Sequence, residues 1–171
     1  MSEYYVDNAS GNDGNAGDAD HPWASLAHAA DTVAAGDTVH IKSGTEYTAQ
    51  DGSNNCNLQI TTAGTVTAPI LWQGYTTTPG DSGMAIINAN GYNQGVSNSG
   101  SDYQIYKNMQ VKNASYDGFY CSSGNQTWIN CVVNNNGRYG INMAGNGLYV
   151  KCTIHNNGSH GITAGNYYNL S

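Results

Sequence analysis

Asn130-Cys131-Val132-Val133-Asn134-Asn135-Asn136-Gly137-Arg138-Tyr139-Gly140-Ile141 decides the fold, because the pattern occurs three times. Asn108-Met109-Gln110-Val111-Lys112-Asn113-Ala114-Ser115-Tyr116-Asp117-Gly118-Phe119 lies 22 residues before it, and Lys151-Cys152-Thr153-Ile154-His155-Asn156-Asn157-Gly158-Ser159-His160-Gly161-Ile162 lies 21 after it. A fixed period of this size marks a chain that winds, one coil per repeat. The runs inside each unit are short, rich in β-branched and aromatic residues, and broken by Gly and Asn, so they read as strands. A coil of about 21 residues suits three strands of about 3–5 residues joined by three turns, with successive coils pairing in parallel ~4.8 Å apart.

Stacked coils put like residues in columns. Met109, Cys131 and Cys152 form one, Val111, Val133 and Ile154 a second, and Phe119, Ile141 and Ile162 a third; all three read as interior ladders. Tyr106, Trp128 and Tyr149 form an aromatic column whose side, inner or outer, the pattern leaves open. Asn113, Asn135 and Asn156 mark a bend, where Asn tolerates left-handed backbone and can form a hydrogen-bonded ladder. Cys131 and Cys152, one coil apart, read as a buried thiol ladder or as a disulfide between stacked strands, and the burial habit of free Cys favours the thiols.

Outward from the repeat, residues 1–36 read as an N-terminal cap: a strand, an Asp/Asn/Gly loop and a short helix. The helix is expected over Trp23–Ala35, with Pro22 in the first turn, Asp20 or His21 near the N-cap and Gly36 as the stop. A solenoid end exposes apolar core and unpaired strand edges, which such a helix would cover. Residues 37–171 read as coils, about three irregular ones to residue 100 with loops at Asp51–Asn55 and Thr76–Gly83, then the regular ones. Tyr167–Ser171 reads as the start of another strand without a capping helix, which points to further chain, a protein partner or self-association at that end.

These residues resemble the right-handed parallel β-helix proteins of the pectin-lyase-like superfamily. The opening Tyr4-Tyr5-Val6-Asp7, Pro22-Trp23-Ala24-Ser25-Leu26, Gly36–Tyr47 and Ala68-Pro69-Ile70-Leu71-Trp72-Gln73-Gly74-Tyr75 carries the same likeness. The resemblance implies an all-β, single-stranded parallel β-helix with an N-terminal capping helix. For activity it implies less, since such coils occur in polysaccharide lyases, hydrolases, bacterial surface proteins and phage tailspikes. The family's lyases generally pair a Lys or Arg base with an acidic calcium site, and here Lys42, Lys107, Lys112 and Lys151 are scattered without an acidic cluster in register.

Twelve acids against five bases give a formal charge of −7, which argues against nucleic acid as a partner. No apolar run has the length of a membrane span, and no signal peptide is visible, as Met1-Ser2-Glu3 runs straight into the first strand-like segment. No cofactor is called for, with one exception. Asp7, Asp13, Asp18 and Asp20, interleaved with Asn8, Asn12 and Asn15, could hold Ca²⁺ on oxygen ligands. The same residues also build metal-free turns.

The candidate site lies on the repeats. Asp117, Tyr139 and His160 share the column before the Gly, and Tyr116 and Arg138 share the neighbouring one. As a catalytic set they offer a base and a cation for an enolate. As a ligand-binding set, Asp117 and His160, two rungs or about 10 Å apart, suit one sugar. The plain alternative is a solvated turn surface. Tyr4, Tyr5, Tyr75, Tyr92, Tyr103, Tyr116, Tyr139, Tyr167 and Tyr168 are further candidates for exposed contact residues. The composition and the lack of an assembled catalytic set favour a non-enzymatic structural or adhesion solenoid of a virion or cell surface, of the tail-fibre, tailspike or capsid-decoration type, that could bind a polysaccharide. The alternative is a polysaccharide lyase or glycoside hydrolase, or part of one.

Overall fold

The computed structural model describes residues 1–51 and 55–163, and the backbone of 166–170. The cap holds β1 (Glu3–Val6) and α1 (Leu26–Thr32). The first coil holds β2 (Thr38–Lys42) and β3 (Cys56–Ile60), and the second β4 (Ile70–Tyr75), β5 (Ala85–Asn88) and β6 (Gln94–Asn98). The third holds β7 (Gln104–Lys107), β8 (Met109–Lys112) and β9 (Asp117–Cys121), and the fourth β10 (Gln126–Ile129), β11 (Val132–Asn134) and β12 (Ile141–Met143). The fifth holds β13 (Asn146–Val150), β14 (Thr153–His155) and β15 (Ile162–Thr163), and β16 (Asn166–Leu170) begins a further turn. The strand expected near residue 167 is therefore β16, paired in parallel with β13.

From the second to the fifth, each coil gives one strand to each of three parallel sheets, and the first gives one to each of two. The orders are β1-β2-β4-β7-β10-β13-β16, β5-β8-β11-β14 and β3-β6-β9-β12-β15, so the chain is a parallel β-helix. In the first coil Tyr47 bridges to Ile87, at the place where the described residues hold no second-sheet strand. Only two coils, not three, lie between residues 37 and 100, because each carries long excursions.

The expected columns are register partners: Val111, Val133 and Ile154, and Phe119, Ile141 and Ile162. The aromatic column faces inward and extends to Trp72, Tyr106, Trp128 and Tyr149, with Trp128 and Tyr149 stacked at 4.9 Å and 7°. Burying aromatic faces in such a stack removes large apolar areas from water and explains why the column sits in the core. Cys131 and Cys152 are free thiols that donate to backbone carbonyls of the preceding coil, Tyr106 O at 3.4 Å and Trp128 O at 3.5 Å.

The bends rest on Asn, as expected, but the ladder lies one residue further on. Asn113, Asn135 and Asn156 have φ of +61°, +58° and +54°. The ladder is Ala114–Asn136–Asn157, buried at its first two members and half-buried at the third: Asn136 Oδ1 accepts from Ala114 N at 3.0 Å, and Asn136 Nδ2 donates to Asn157 Oδ1 at 2.9 Å. Beyond it a column of glycines turns the corner into the third sheet. A Cβ on Gly118 would lie 2.5 Å from Val133 Cγ1, and one on Gly140 would lie 2.6 Å from Gly161 O.

α1 is shorter than its apolar spacing predicts. Trp23 bridges to Val6 and exchanges backbone bonds with Tyr5 O and Asp7 N at 2.9 Å each, which holds it in an extended pairing. Ser25, not Asp20 or His21, is the N-cap, its Oγ accepting from His28 N at 3.1 Å. Val33 is the C-cap, and Gly36, at φ +90°, turns the chain into β2. Leu26, Ala29, Ala30 and Val33 join the apolar core, so the helix closes the first end of the solenoid.

Candidate functional site

The turn from the second sheet into the third carries the site. Parallel register puts Asp117, Tyr139 and His160 in one column, with Tyr116 and Arg138 beside it. Asp117 begins β9 and is fully buried, so the expectation of a solvated turn does not hold for it. The reason is Arg138, which covers it from the next coil. Arg138 Nε donates to Asp117 Oδ1 at 2.9 Å and Nη2 to Oδ2 at 2.5 Å. Asn142 Nδ2 adds a bond to Oδ2 at 3.0 Å, and Asn142 Oδ1 in turn accepts from Thr163 Oγ1 at 3.0 Å. The bidentate fork fits a carboxylate in both charge and plane.

Above this pair the guanidinium lies against two rings, Tyr139 at 4.8 Å and Tyr116 at 5.5 Å from Cζ to centroid. Tyr139 leads on to His160, with ring centroids 5.8 Å apart and tilted by 50°. His160 Nδ1 bonds with Ser159 Oγ at 3.0 Å. The Asp117 carboxylate raises the Arg138 pKa above its already high range, so the cation is permanent. Tyr116 is 49% exposed, and the Arg138 side chain 42%. The result is an edge of flat rings around an arginine paired with a buried carboxylate. Both Asp117 oxygens accept hydrogen bonds, from Arg138 and Asn142, and the residue is fully buried. Sequence reading missed Asn142 because it sits two residues past the glycine corner.

The four N-terminal acids do not gather. Asp7 accepts from Ala9 N and Ser10 Oγ at 2.9 and 2.7 Å. Asp13 accepts from Ala24 N, Ser25 N and Ser25 Oγ at 2.8, 2.9 and 2.7 Å. Asp18 accepts from the Asp20 and His21 backbone at 3.0 and 2.7 Å. Burial raises the pKa of Asp7 and of Asp13, but these hydrogen bonds outweigh it and hold both carboxylates below their usual range. At Asp18 the His21 backbone bond is the largest lowering influence. Asp20 contributes only a backbone N–H and is exposed. Among the described residues no three His, Cys, Asp or Glu side chains form a metal-binding group.

A second cluster, unforeseen in the sequence, lies on the outer face of the seven-stranded sheet. His40 is 5% exposed, faces Tyr5 at 4.8 Å and Tyr75 at 6.2 Å between ring centroids, and has Glu3 Oε2 3.6 Å from Nε2. Burial lowers its pKa against the opposing pull of Glu3. Tyr75, expected to be exposed, is buried there, with Lys42 Nζ 5.1 Å above its ring. Period-2 alternation in β2 was the available signal, since His40 lies between the inward Val39 and Ile41. Of the other expected tyrosines, Tyr4, Tyr5, Tyr92, Tyr103 and Tyr139 are half-buried, Tyr116 is exposed, and the side chains of Tyr167 and Tyr168 lie outside the described residues.

The family model of the Pel9A-like, right-handed β-helix region matches residues 4–167. The chain belongs to that family. The helix is thus right-handed, as parallel crossovers almost always are. No curated protein matches by sequence. Among solved structures, pectate lyase Pel9A superposes with a TM-score of 0.71 at 19% identity over 89% of this chain and 47% of its own. A rhamnogalacturonan lyase gives 0.69 at 16% over 96% and 51%. The GH136 lacto-N-biosidase from Eubacterium ramulus gives 0.69 at 17% over 88% and 34%. At these identities the likeness is one of fold, and this chain spans about a third to a half of those proteins.

Proposed function

We propose that this chain is a carbohydrate-recognising β-helix whose Tyr116–Arg138–Tyr139–His160 edge holds a glycan without cleaving it. The observation that carries this reading is Arg138, pinned by buried Asp117 against two partly exposed tyrosine rings. Rings fixed before the ligand arrives lose little entropy on binding, and their flat apolar faces with polar rims suit sugar rings. The arginine charge is already matched by Asp117 and the whole chain is acidic at −7, so neutral glycans are favoured over polyuronates. A rigid edge of this kind also suits a structural or adhesion solenoid displayed on a virion or cell surface.

A second reading is that the chain forms part of a polysaccharide lyase or glycoside hydrolase. Its support is that its structural neighbours are enzymes of these kinds and that it spans only part of their length. Affinity electrophoresis and calorimetry on neutral and uronate polysaccharides, with a parallel assay for released ends, separate the two readings. The expected outcome is binding without product, weakened about tenfold, or roughly 1.4 kcal/mol, by Tyr139→Ala and by Arg138→Ala. Product release would establish the enzyme, and binding untouched by either variant would remove the edge from the account.

A further inference from the structure

Cys131 and Cys152 occupy one column on successive coils, and the proposed function uses neither. Their strands run in register, with Val132 opposite Thr153, and Thr153 N donates to Cys131 O at 2.9 Å. Paired strands lie about 4.8 Å apart, inside the Cα window of about 4.4–6.8 Å that a disulfide spans. The two sulfurs also converge. Cys131 Sγ donates to Ile129 O at 3.5 Å, and Cys152 Sγ donates to the adjoining Trp128 O at 3.5 Å. The thiols themselves share a hydrogen bond.

That contact makes the two sulfurs unequal. The hydrogen bond from Cys131 lowers the Cys152 pKa, whereas burial raises that of Cys131. Cys131 is fully enclosed and Cys152 is half-buried. The other two cysteines stand in different columns, Cys56 opposite Gln94, and Cys121 between Asn98 and Met143. Burial pushes the Cys56 thiol up to about 12 and raises that of Cys121 as well. The thiolate is the form that attacks an oxidant, so Cys152 is the first to react and Cys131 is the thiol placed to resolve it.

We infer that Cys131 and Cys152 are a reversible dithiol–disulfide pair that staples the fourth coil to the fifth when hydrogen peroxide is present. The Cys152 thiolate attacks one peroxide oxygen, the O–O bond breaks, and the other oxygen leaves as hydroxide and becomes water. Cys152 is then a sulfenic acid. Cys131 Sγ attacks that sulfur, the S–S bond forms, and the sulfenic oxygen departs as a second water. Two thiols lose two electrons and two protons, and the peroxide gains them. The closed loop restrains the unfolded chain, so the oxidised form is the more stable one.

The test treats the whole chain with hydrogen peroxide, alkylates it in denaturant and maps it by mass spectrometry without reduction. The expected product is a peptide linked through Cys131 and Cys152, with two of the four thiols lost, both recovered by dithiothreitol, and a raised melting temperature. Cys56 and Cys121 are internal controls, expected to oxidise at least tenfold more slowly. Cys131→Ala should abolish the link and leave a Cys152 sulfenic acid that dimedone traps, and Cys152→Ala should leave Cys131 unreacted. The wild-type map decides even where a variant fails to fold. Retention of all four thiols in the folded chain while urea-unfolded chain loses them overturns the inference. So does oxidation of Cys56 or Cys121 at an equal rate, or a Cys152 sulfinate without the linked peptide.

Discussion

The first two coils and the next three reach the same cross-section by different routes. Thr38, Leu71, Ile105, Thr127, Leu148 and Tyr168 are successive register partners, so the five coils run 33, 34, 22, 21 and 20 residues. The shorter coils turn on left-handed Asn and on side-chain ladders repeated from rung to rung. The longer ones send out loops that must be tied individually. Asp81 does this in the Thr76–Gly83 excursion, its carboxylate accepting from the N–H groups of Thr76, Thr77, Thr78 and Gly83 at 2.8–3.1 Å. These bonds hold its pKa far below the usual carboxylate range. Glu46 ties the first coil's excursion to the second sheet through Lys112 and Asn88, both at 2.6 Å. Repetition spreads stability over many equal contacts, whereas excursions concentrate it in a few unique ones.

The aromatic column runs through both regions and gives the sharpest contrast. Trp72 and Trp128 are both fully buried in the same column. Trp72 Nε1 donates to Gln104 Oε1 at 2.9 Å, whereas Trp128 Nε1 has no partner. Replacing either by Ala should cost about 3–5 kcal/mol in equilibrium unfolding. The Phe variants should separate them. Trp72→Phe orphans the Gln104 oxygen and should cost about 1–3 kcal/mol more than its cavity alone, whereas Trp128→Phe relieves an unpaired donor. Equal losses in urea titrations of the two Phe variants would show that the coils do not differ in this respect.

Asp117 is the next test. Asp117→Leu removes a fully buried carboxylate and leaves Arg138 unpaired but half-exposed and able to take up water. The expected loss is about 2–3 kcal/mol, smaller than for a fully buried pair because of that exposure. If the ion pair also holds Tyr116 and Tyr139 in place, Asp117→Leu should weaken glycan binding as much as Arg138→Ala does. Stability lost with binding intact would make the pair purely structural.

How much of this the sequence disclosed follows the same division. The ladders of Val111, Val133 and Ile154 were legible because a constant period puts chemically like residues in register. The coil count between residues 37 and 100 was not, because excursions of unequal length erase the period while the core residues Val39, Trp72 and Ala85 persist. Trp23 read as helical from its spacing, but a non-local bridge to Val6 overrode the local pattern. Asp117 read as exposed because a residue beside a turn Gly normally is. Its burial depends on Arg138 reaching back one coil, a contact set by register. The Asn ladder shifted by one position for a similar reason: a positive φ and an inward amide are different demands, and adjacent residues meet them.

The smallest effect concerns pH and belongs to the first coil. His40 is enclosed by Tyr5, Tyr75 and Glu3, with Gln73 its register neighbour on β4. Burial depresses its pKa, with Glu3 opposing. The unfolded chain therefore takes up a proton near pH 6.5 that the folded chain accepts only at lower pH. Stability from this site is complete above about pH 6.5 and falls as pH drops through the window below it, before the carboxylates titrate near pH 4. His40→Phe keeps the ring between the two tyrosines and removes the titration. Its melting temperature should fall less than the wild type's between about pH 7 and pH 5, a range bounded by the ordinary His and carboxylate values. Should the variant and wild type lose stability in parallel over that range, the acid response arises elsewhere, and His40 gives the first coil no distinct electrostatic character.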